Sequence, residues 1–241
     1  MRTQVIWLGT RQQLTKIDTA HLVVPNATVP FSPSVKNLGV TFDRCLTMKE
    51  HVSSLSKSCL FQLRQLRTIR RSLTPDAAKT LAQAFICSRL DYCNSLFAGI
   101  SKRLLQRLQA VQNATARMVT GARKFDHISP VIRELHWLPV RQRIAFKLAL
   151  LAYKAQRSMV PGYLADMCVP TSSCSRRRNL RSERANMLNV PMTKTAYGER
   201  GFNSSGPRTW NSLPANLRDP GVSLEAFRKG LKTYLFSSSD H

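Results

Sequence analysis

The distribution of apolar positions divides the chain into a short β-prone start and a long helical remainder. Brief apolar runs at residues 5–8, 22–24 and 35–42, separated by turn-forming residues, predict three short strands. A sheet of this size cannot cover its own apolar face. We therefore expect it to pack against the helices that follow or against something outside the chain, as in a piece cut from a larger domain.

The helical period begins near residue 47. Apolar side chains at every third or fourth position from Met48 to Leu66 share one face, behind an expected capping box of Thr47 and Glu50. A second helix is predicted to start after Thr74 and to run towards residue 90. A capping hydroxyl followed by proline and an acid is a typical helix start.

The rest of the chain continues this pattern. A third helix is predicted after Ser101, with Gly121 as its C-terminal stop. Residues 140–157 carry two apolar stripes, which indicates a helix buried on two sides in the middle of a bundle. The alternative, a basic helix lying on a membrane, would need one broad polar face. Residues 171–184 are rich in Ser and Arg and predict a basic linker before a smaller module with a closing helix.

Charge changes the picture more than any other feature of composition. The 241 residues include 37 Lys and Arg against 13 Asp and Glu, a formal net charge of +24. So many positive charges repel one another unless a polyanion neutralises them, so nucleic acid is the first partner to consider. No long uncharged apolar run predicts a signal peptide or a membrane span, and six cysteines without a C-x-x-C pair predict reduced thiols rather than zinc.

A search for catalytic chemistry finds little. The sequence has no phosphate-binding loop, nucleophile elbow or zinc helix of the common types. The acids are scattered, whereas two-metal phosphoryl transfer needs clustered carboxylates. His127 and His136 lie near acids but lack a nucleophile or a third metal ligand. We expect Asp91, at a helix end, to form an internal hydrogen bond or ion pair.

Basic residues concentrate on two of the predicted helices. Residues 44–73 hold seven Lys or Arg and one acid, and residues 101–124 hold six and no acid. Opposite the apolar stripes, these side chains can follow a phosphate backbone; a merely solvated basic surface is the alternative. The predicted nucleic-acid-binding residues are Lys49, Lys57, Arg64, Arg67, Arg70, Arg71, Lys102, Arg103, Arg107 and Arg117.

Five longer strings occur in a characteristic order. They are VKNLGVTFD at 35–43, SRLDYCNSL at 88–96, LQAVQNATAR at 108–117, LHWLPV at 135–140 and WNSLP at 210–214. Together they closely resemble the region after the catalytic centre in LINE-type (non-LTR) retrotransposon reverse transcriptases of the jockey-related clades. The resemblance covers essentially the whole chain, although Arg2 and Gln4 depart from the Lys-Thr-Glu usual in the family's last palm strand.

The resemblance implies a mainly α fold: a β-strand remnant of a polymerase palm, a helical thumb-like bundle and a small C-terminal module. The implied regions are a palm remnant at 1–43, a thumb-like domain at 44–125, further helices at 126–168, the linker at 169–186 and the module at 187–241. The implied primer-grip-like residues, in a hairpin, are Lys36, Asn37, Leu38 and Gly39.

The resemblance also implies a function. The chain is expected to be a fragment of an RNA-directed DNA polymerase that keeps a surface for RNA and DNA template–primer but lacks the catalytic aspartates, which lie upstream in the family. No cofactor is expected in this chain, since Mg²⁺ belongs to the complete polymerase. A missing palm supplied in trans is a further possible partner, and the expected location is the nucleus or a cytoplasmic ribonucleoprotein. The alternatives are a host co-opted, non-enzymatic nucleic-acid-binding protein and a non-functional translated remnant.

The first prediction concerns activity. We expect the purified chain to show no primer extension on a primed RNA or DNA template with Mg²⁺, because no carboxylate cluster is apparent that would hold two metal ions. A mock purification from the same host is the control. Metal-dependent extension above that control would contradict the prediction.

Overall fold

Helices dominate the structure, a computed structural model that describes residues 3–25, 27–173 and 186–238. Helices contain 59% of the residues and strands 9%, which confirms the prediction of a mainly α fold. The helices are α1 (Arg11–Leu14), α2 (Lys49–Ile69), α3 (Pro75–Ala82), α4 (Ser88–Asp91), α5 (Lys102–Thr120), α6 (Ile128–Glu134), α7 (Val140–Ala155), α8 (Gly162–Ala165), α9 (Ala196–Arg200), α10 (Phe202–Asn211) and α11 (Leu224–Ser237). None of the described helices is long and apolar enough to cross a bilayer.

The strands form two antiparallel hairpins before α2. Strand β1 (His21–Val24) pairs with β2 (Ala27–Pro30), and β3 (Ser34–Asn37) pairs with β4 (Val40–Asp43). The run predicted as one strand at 35–42 is therefore a hairpin, and the sequence analysis missed β2. Both turn residues of the second hairpin have positive φ, 45° at Leu38 and 82° at Gly39, as in the two-residue turns that match strand twist.

The strand predicted at residues 5–8 does not form. Val5 makes one isolated parallel bridge to Phe31, and the ladder goes no further. Pro30 directly precedes the bridged Phe31, and a proline has no N–H to donate to a neighbouring strand. The sequence has enough apolar residues for a strand here, but its partner segment cannot continue the pairing.

The carboxylate of Asp43 organises the turn into α2. It accepts hydrogen bonds from the backbone N–H groups of Cys45 at 3.1 Å, Thr47 at 2.9 Å and Met48 at 2.8 Å. The predicted capping box is wrong, because α2 starts after Met48 and Glu50 stands one position too early to close such a box. The Thr47 hydroxyl donates to Asp43 at 3.0 Å.

Two buried clusters form the core, and α7 belongs to both. Its Ile144 and Leu148 pack with α2, α5 and β4 residues, while Ala152 and Tyr153 pack with the residues of α10 and α11. This confirms the prediction of a helix buried on two sides. The second predicted helix is also confirmed, with a π-helical turn at Gln83–Cys87 between α3 and α4.

Polar and sulfur groups behave largely as the sequence predicts. Ser101 caps α5 and Gly121 ends it at φ 79°. Asp91 forms an ion pair with Arg143 at 2.7 Å. The cysteines within the described ranges are free thiols, and burial raises the pKa of three of them to about 11, which keeps them protonated and unreactive. The Ser/Arg-rich segment at 174–185 lies outside the described residues.

The hydrogen bonds of Arg70 lead to a second prediction, which concerns stability. Its guanidinium donates to the carbonyls of Met118 at 2.9 Å, Val119 at 2.8 Å and Leu73 at 3.1 Å, so it closes the C-terminal end of α5. Replacing Arg70 by Gln should lower the free energy of unfolding by about 2 kcal/mol, because charge-assisted hydrogen bonds to half-buried carbonyls are lost. Urea denaturation followed by circular dichroism measures this change. The matched variant Arg71→Gln, at an exposed neighbour without such contacts, should change it little; equal losses would contradict the assignment.

Candidate nucleic-acid interface

Basic side chains from distant parts of the chain meet around one groove. The groove has a volume of about 1180 Å³ and lies where α1, the starts of α2 and α5, and the segment before α9 come together. No carboxylate lines it among the described residues. Its basic lining residues are Arg11, Lys49, Arg103, Arg107, Lys194 and Arg200.

The basic lining residues other than Arg200 have free charges. Their side chains are exposed and make no hydrogen bond or ion pair with any described residue. Acidic side chains are scarce in this protein, so cations this close together lack internal counterions. A groove with uncompensated positive charge on several sides attracts an anion with several negative groups along its length.

Arg200 has a structural role at the edge of the groove. Its Nε donates to the carbonyl of Ala98 at 3.0 Å, and its Nη1 donates to the carbonyl of Leu46 at 2.6 Å. Burial lowers the pKa of this guanidinium, and the nearby Asp43 carboxylate opposes that shift. Gly99 makes room for it, since a Cβ at that position would lie 2.7 Å from Arg200 Cγ.

Local structure sets the direction of the groove walls. The Asp43 contacts fix the turn that delivers Lys49 as the first residue of α2. The Ser101 hydroxyl accepts from the N–H of Leu104 at 3.4 Å at the start of α5. The N-terminal ends of both helices thus lie at the groove. The Asp43 carboxylate already caps the start of α2, while the start of α5 has no acid in its first turn and keeps the partial positive charge of its dipole.

The C-terminal part supplies the opposite wall. The hydroxyl of Thr195 caps α9 by accepting from the N–H of Gly198 at 3.1 Å. The hydroxyl of Tyr197 donates to the carbonyl of Gly9 at 2.9 Å, which joins α9 to the segment before α1. Lys194 is therefore held beside residues more than 180 positions earlier in the chain, since the Tyr197–Gly9 separation is 188 residues.

A stripe of cations continues from the groove along α2. Exposed basic residues recur at helical spacing after Lys49, ending in the 3₁₀ turn that follows the helix. The distance from Lys49 to Arg67 is about 27 Å at 1.5 Å per residue, comparable to about eight nucleotide steps of a duplex. The members of this α2 stripe are Lys49, Lys57, Arg64, Arg67 and Arg71.

Most of the predicted binding residues have the exposure that phosphate contacts need. Besides the α2 stripe, Lys102, Arg103 and Arg107 are exposed on α5 and have no partner within the described ranges. Two predicted residues differ. Arg70 holds the end of α5, and the guanidinium of Arg117 donates to the carbonyls of two residues in the loop after that helix, both at 3.2 Å. Backbone carbonyls take up part of the N–H donors of these two guanidinium groups, and their predicted role in binding nucleic acid stays a prediction.

Three lining residues were missed by the sequence analysis: Arg11, Lys194 and Arg200. Each is separated from the two basic helices by many residues, and no local spacing distinguishes it from other surface cations. The only available signal was the overall excess of positive charge. Whether these residues line the groove depends on how the C-terminal module packs. The spacing of apolar residues along the sequence does not predict that packing.

The primer-grip-like residues form the tip of the second hairpin, outside the groove lining. Leu38 is 82% exposed, and its carbonyl accepts from the hydroxyl of Tyr92 at 2.6 Å. Nδ1 of His51, on α2, accepts a hydrogen bond from the N–H of Thr41, on β4, at 3.4 Å, which ties the hairpin to α2. The primer-grip role of Lys36, Asn37, Leu38 and Gly39 stays a prediction.

Comparison with known proteins adds no relative. No family model, no curated protein and no solved structure matches this chain. Within the described ranges, no three His, Cys, Asp or Glu side chains come together as a metal site.

The pH dependence of stability offers a third test. Burial, followed by the charge of Lys36, lowers the pKa of His51 below its usual 6.5, so the folded state favours neutral imidazole. Below about pH 6.5 the unfolded chain binds the proton more readily, so the stability that His51 contributes is present above that pH and declines as pH falls. Melting temperatures at pH 7.5 and 5.5 measure the effect.

The control is His51→Asn, whose side-chain oxygen can replace Nδ1 as the acceptor for the Thr41 N–H but does not titrate. We expect a smaller fall in melting temperature for this variant than for the parent between the two pH values. An equal fall in both proteins would exclude His51 as a source of the pH dependence.

Proposed function

We propose that this chain binds nucleic acid along the basic groove and the α2 stripe, as the thumb-like part of a LINE-type RNA-directed DNA polymerase whose catalytic aspartates lie outside the chain. One observation carries the binding proposal: five unpaired cations from four separate parts of the chain border one groove with no carboxylate among the described lining residues. The five motif strings carry the assignment to a polymerase.

Phosphate chemistry accounts for the composition of the groove. Lys and Arg bind phosphate oxygens by charge-assisted hydrogen bonds, and each neutralised phosphate releases condensed counterions. The N-terminus of α5 adds partial positive charge at the groove, whereas the Asp43 carboxylate already caps that of α2. Repeated phosphates along a strand match a surface in which the cations are spread over the groove and along α2.

The same chemistry predicts weak sequence preference. Phosphate contacts position a protein on a nucleic acid but do not distinguish bases. The groove residues with free charges are long, exposed cations, which suit contacts to the phosphate backbone. Binding to RNA–DNA and DNA duplexes of unrelated sequence is therefore the expected behaviour.

The order of elements supports the thumb-like assignment. A hairpin, β3–β4, comes directly before the helical bundle, and Asp43 and His51 join it to α2. In the proposed polymerase this hairpin approaches the primer end while the α2 stripe follows the duplex. For DNA synthesis this arrangement requires a palm, either in the same polypeptide or supplied in trans.

The fourth prediction tests the groove. A triple variant removes three charges from the groove with little change in helix propensity: Lys49→Gln/Arg103→Gln/Arg107→Gln. The log–log dependence of affinity on salt for a template–primer duplex should become shallower by up to about 0.9 for each lost phosphate contact. Affinity should fall for every sequence alike. Fluorescence anisotropy over a range of salt concentrations measures both quantities.

The matched control removes the same charge elsewhere. In Lys124→Gln/Arg141→Gln/Lys229→Gln, three exposed cations outside the groove lining and the α2 stripe are replaced. This variant should keep a slope close to that of the parent. If both variants reduce the slope equally, binding follows net charge alone and the groove is not the interface.

A further inference from the structure

A second cavity lies apart from the groove, between α7, α11 and the segment that precedes α7. Its volume is about 430 Å³, within the usual range for small-molecule sites. It is bordered by residues of two motif strings that line neither the groove nor the α2 stripe: Asp91 and Asn94 from one, and His136 and Trp137 from the other. The fold brings these strings together across more than 40 residues, and the ion pair between Asp91 and Arg143, 52 positions apart, lies at the same cavity.

Polar groups at the cavity wall are held in a fixed arrangement. Arg143 donates to the Asp91 carboxylate at 2.7 Å and, through Nε, to the carbonyl of Leu138 at 2.8 Å. The side-chain N–H of Asn94 lies 3.4 Å from the other Asp91 oxygen. This contact fixes the amide orientation, because the reverse orientation would place two oxygens against each other.

Asn94 leaves one acceptor without a donor. Its side chain is only 3% exposed, and its Oδ1 makes no hydrogen bond with any described group. A buried acceptor without a partner is unfavourable, and such groups require an explanation. A ligand that brings a hydroxyl or amine to this wall supplies the donor that Asn94 lacks.

The backbone around the cavity has uncommon conformations. Gln83, a lining residue, begins the π-helical turn, a feature frequent at functional sites. Cys93 and His136 have φ values of 51° and 56°, a region that side-chain-bearing residues seldom adopt. Both stand directly beside a lining residue, Asn94 and Trp137 respectively. Strained backbone at one cavity from two motif strings is typical of a ligand site.

The cavity lining also includes cations and aromatic rings. Lys147 on α7 and Arg228 on α11 have no ion-pair partner within the described ranges, and neither has Lys232, one turn after Arg228. Phe146 and Trp137 give the cavity aromatic surface. Cations, aromatic surface and a hydrogen-bond acceptor around one open cavity match a ligand that carries an anion, a planar ring and a donor group.

We propose that this cavity binds one nucleoside phosphate unit. The phosphate lies against Lys147, Arg228 and Lys232, the base lies along the Phe146 and Trp137 walls, and a sugar hydroxyl or base amine donates to Asn94. The unit comes either from a free mononucleotide or from the 5′-phosphorylated end of a strand, which present the same chemistry. This site does not depend on nucleic-acid binding in the groove.

The test uses the full chain and four probes: AMP, inorganic phosphate, and a short oligonucleotide with and without a 5′-phosphate. In Lys147→Gln/Lys232→Gln, one charge is removed from each of the two cavity helices. In the matched control Lys154→Gln/Lys229→Gln, one charge is removed from each of the same helices outside the cavity. Isothermal titration calorimetry measures binding, and circular dichroism checks folding. Arg228→Gln replaces the double variant if its melting is no longer cooperative.

We expect AMP to bind the parent and the control equally, and the cavity variant about tenfold more weakly, because two charge-assisted phosphate contacts are lost. AMP should also bind more tightly than inorganic phosphate. If only the 5′-phosphorylated oligonucleotide discriminates between the two variants, the strand end is the source of the ligand. Equal binding of every probe to the cavity variant and the control would overturn the proposal, and so would phosphate that binds as tightly as AMP.

Discussion

Burial of α7 on both sides is the constraint on which the rest of the structure depends. One face of this helix completes the core shared with α2 and α5, and the other completes the core shared with α10 and α11. A helix in this position must satisfy its polar groups internally, and Arg143 does so with Asp91 and a backbone carbonyl. Because α7 belongs to both cores, it fixes where the C-terminal module stands against the helices that carry the basic residues.

Periodicity predicted the elements whose stability is local and apolar. The long helices α2, α5 and α7 were predicted with nearly correct limits, since their apolar faces are continuous in sequence. The predictions of a strand at residues 5–8 and of a Thr47 capping box failed for another reason. Each depended on a partner that other residues control: Pro30 limits the pairing of the first, and Asp43 replaces the second.

The candidate groove was predictable only in part, for the same physical reason. Lys49, Arg103 and Arg107 lie on strongly periodic helices, so their exposure followed from the apolar faces. Arg70 has similar spacing, yet its guanidinium reaches the end of α5, a contact set by tertiary packing. The groove wall with Lys194 comes from a distant part of the chain, and no sequence pattern predicts that it packs there. A long arginine side chain can either bind other parts of the protein or lie exposed on its surface, and its spacing does not tell which.

The hydrogen bonds of Arg200 and Tyr197 also determine at which stage of folding the groove forms. They join residues separated by 102, 154 and 188 positions, so they close some of the longest loops in the fold. Contacts of such high sequence separation form late, after local helices have formed. During synthesis the basic helices leave the ribosome first, and their charges stay an open surface until the last fifth of the chain emerges and docks. The nascent chain therefore acquires its two-walled groove only after the segment that carries Lys194, Tyr197 and Arg200 has left the ribosome.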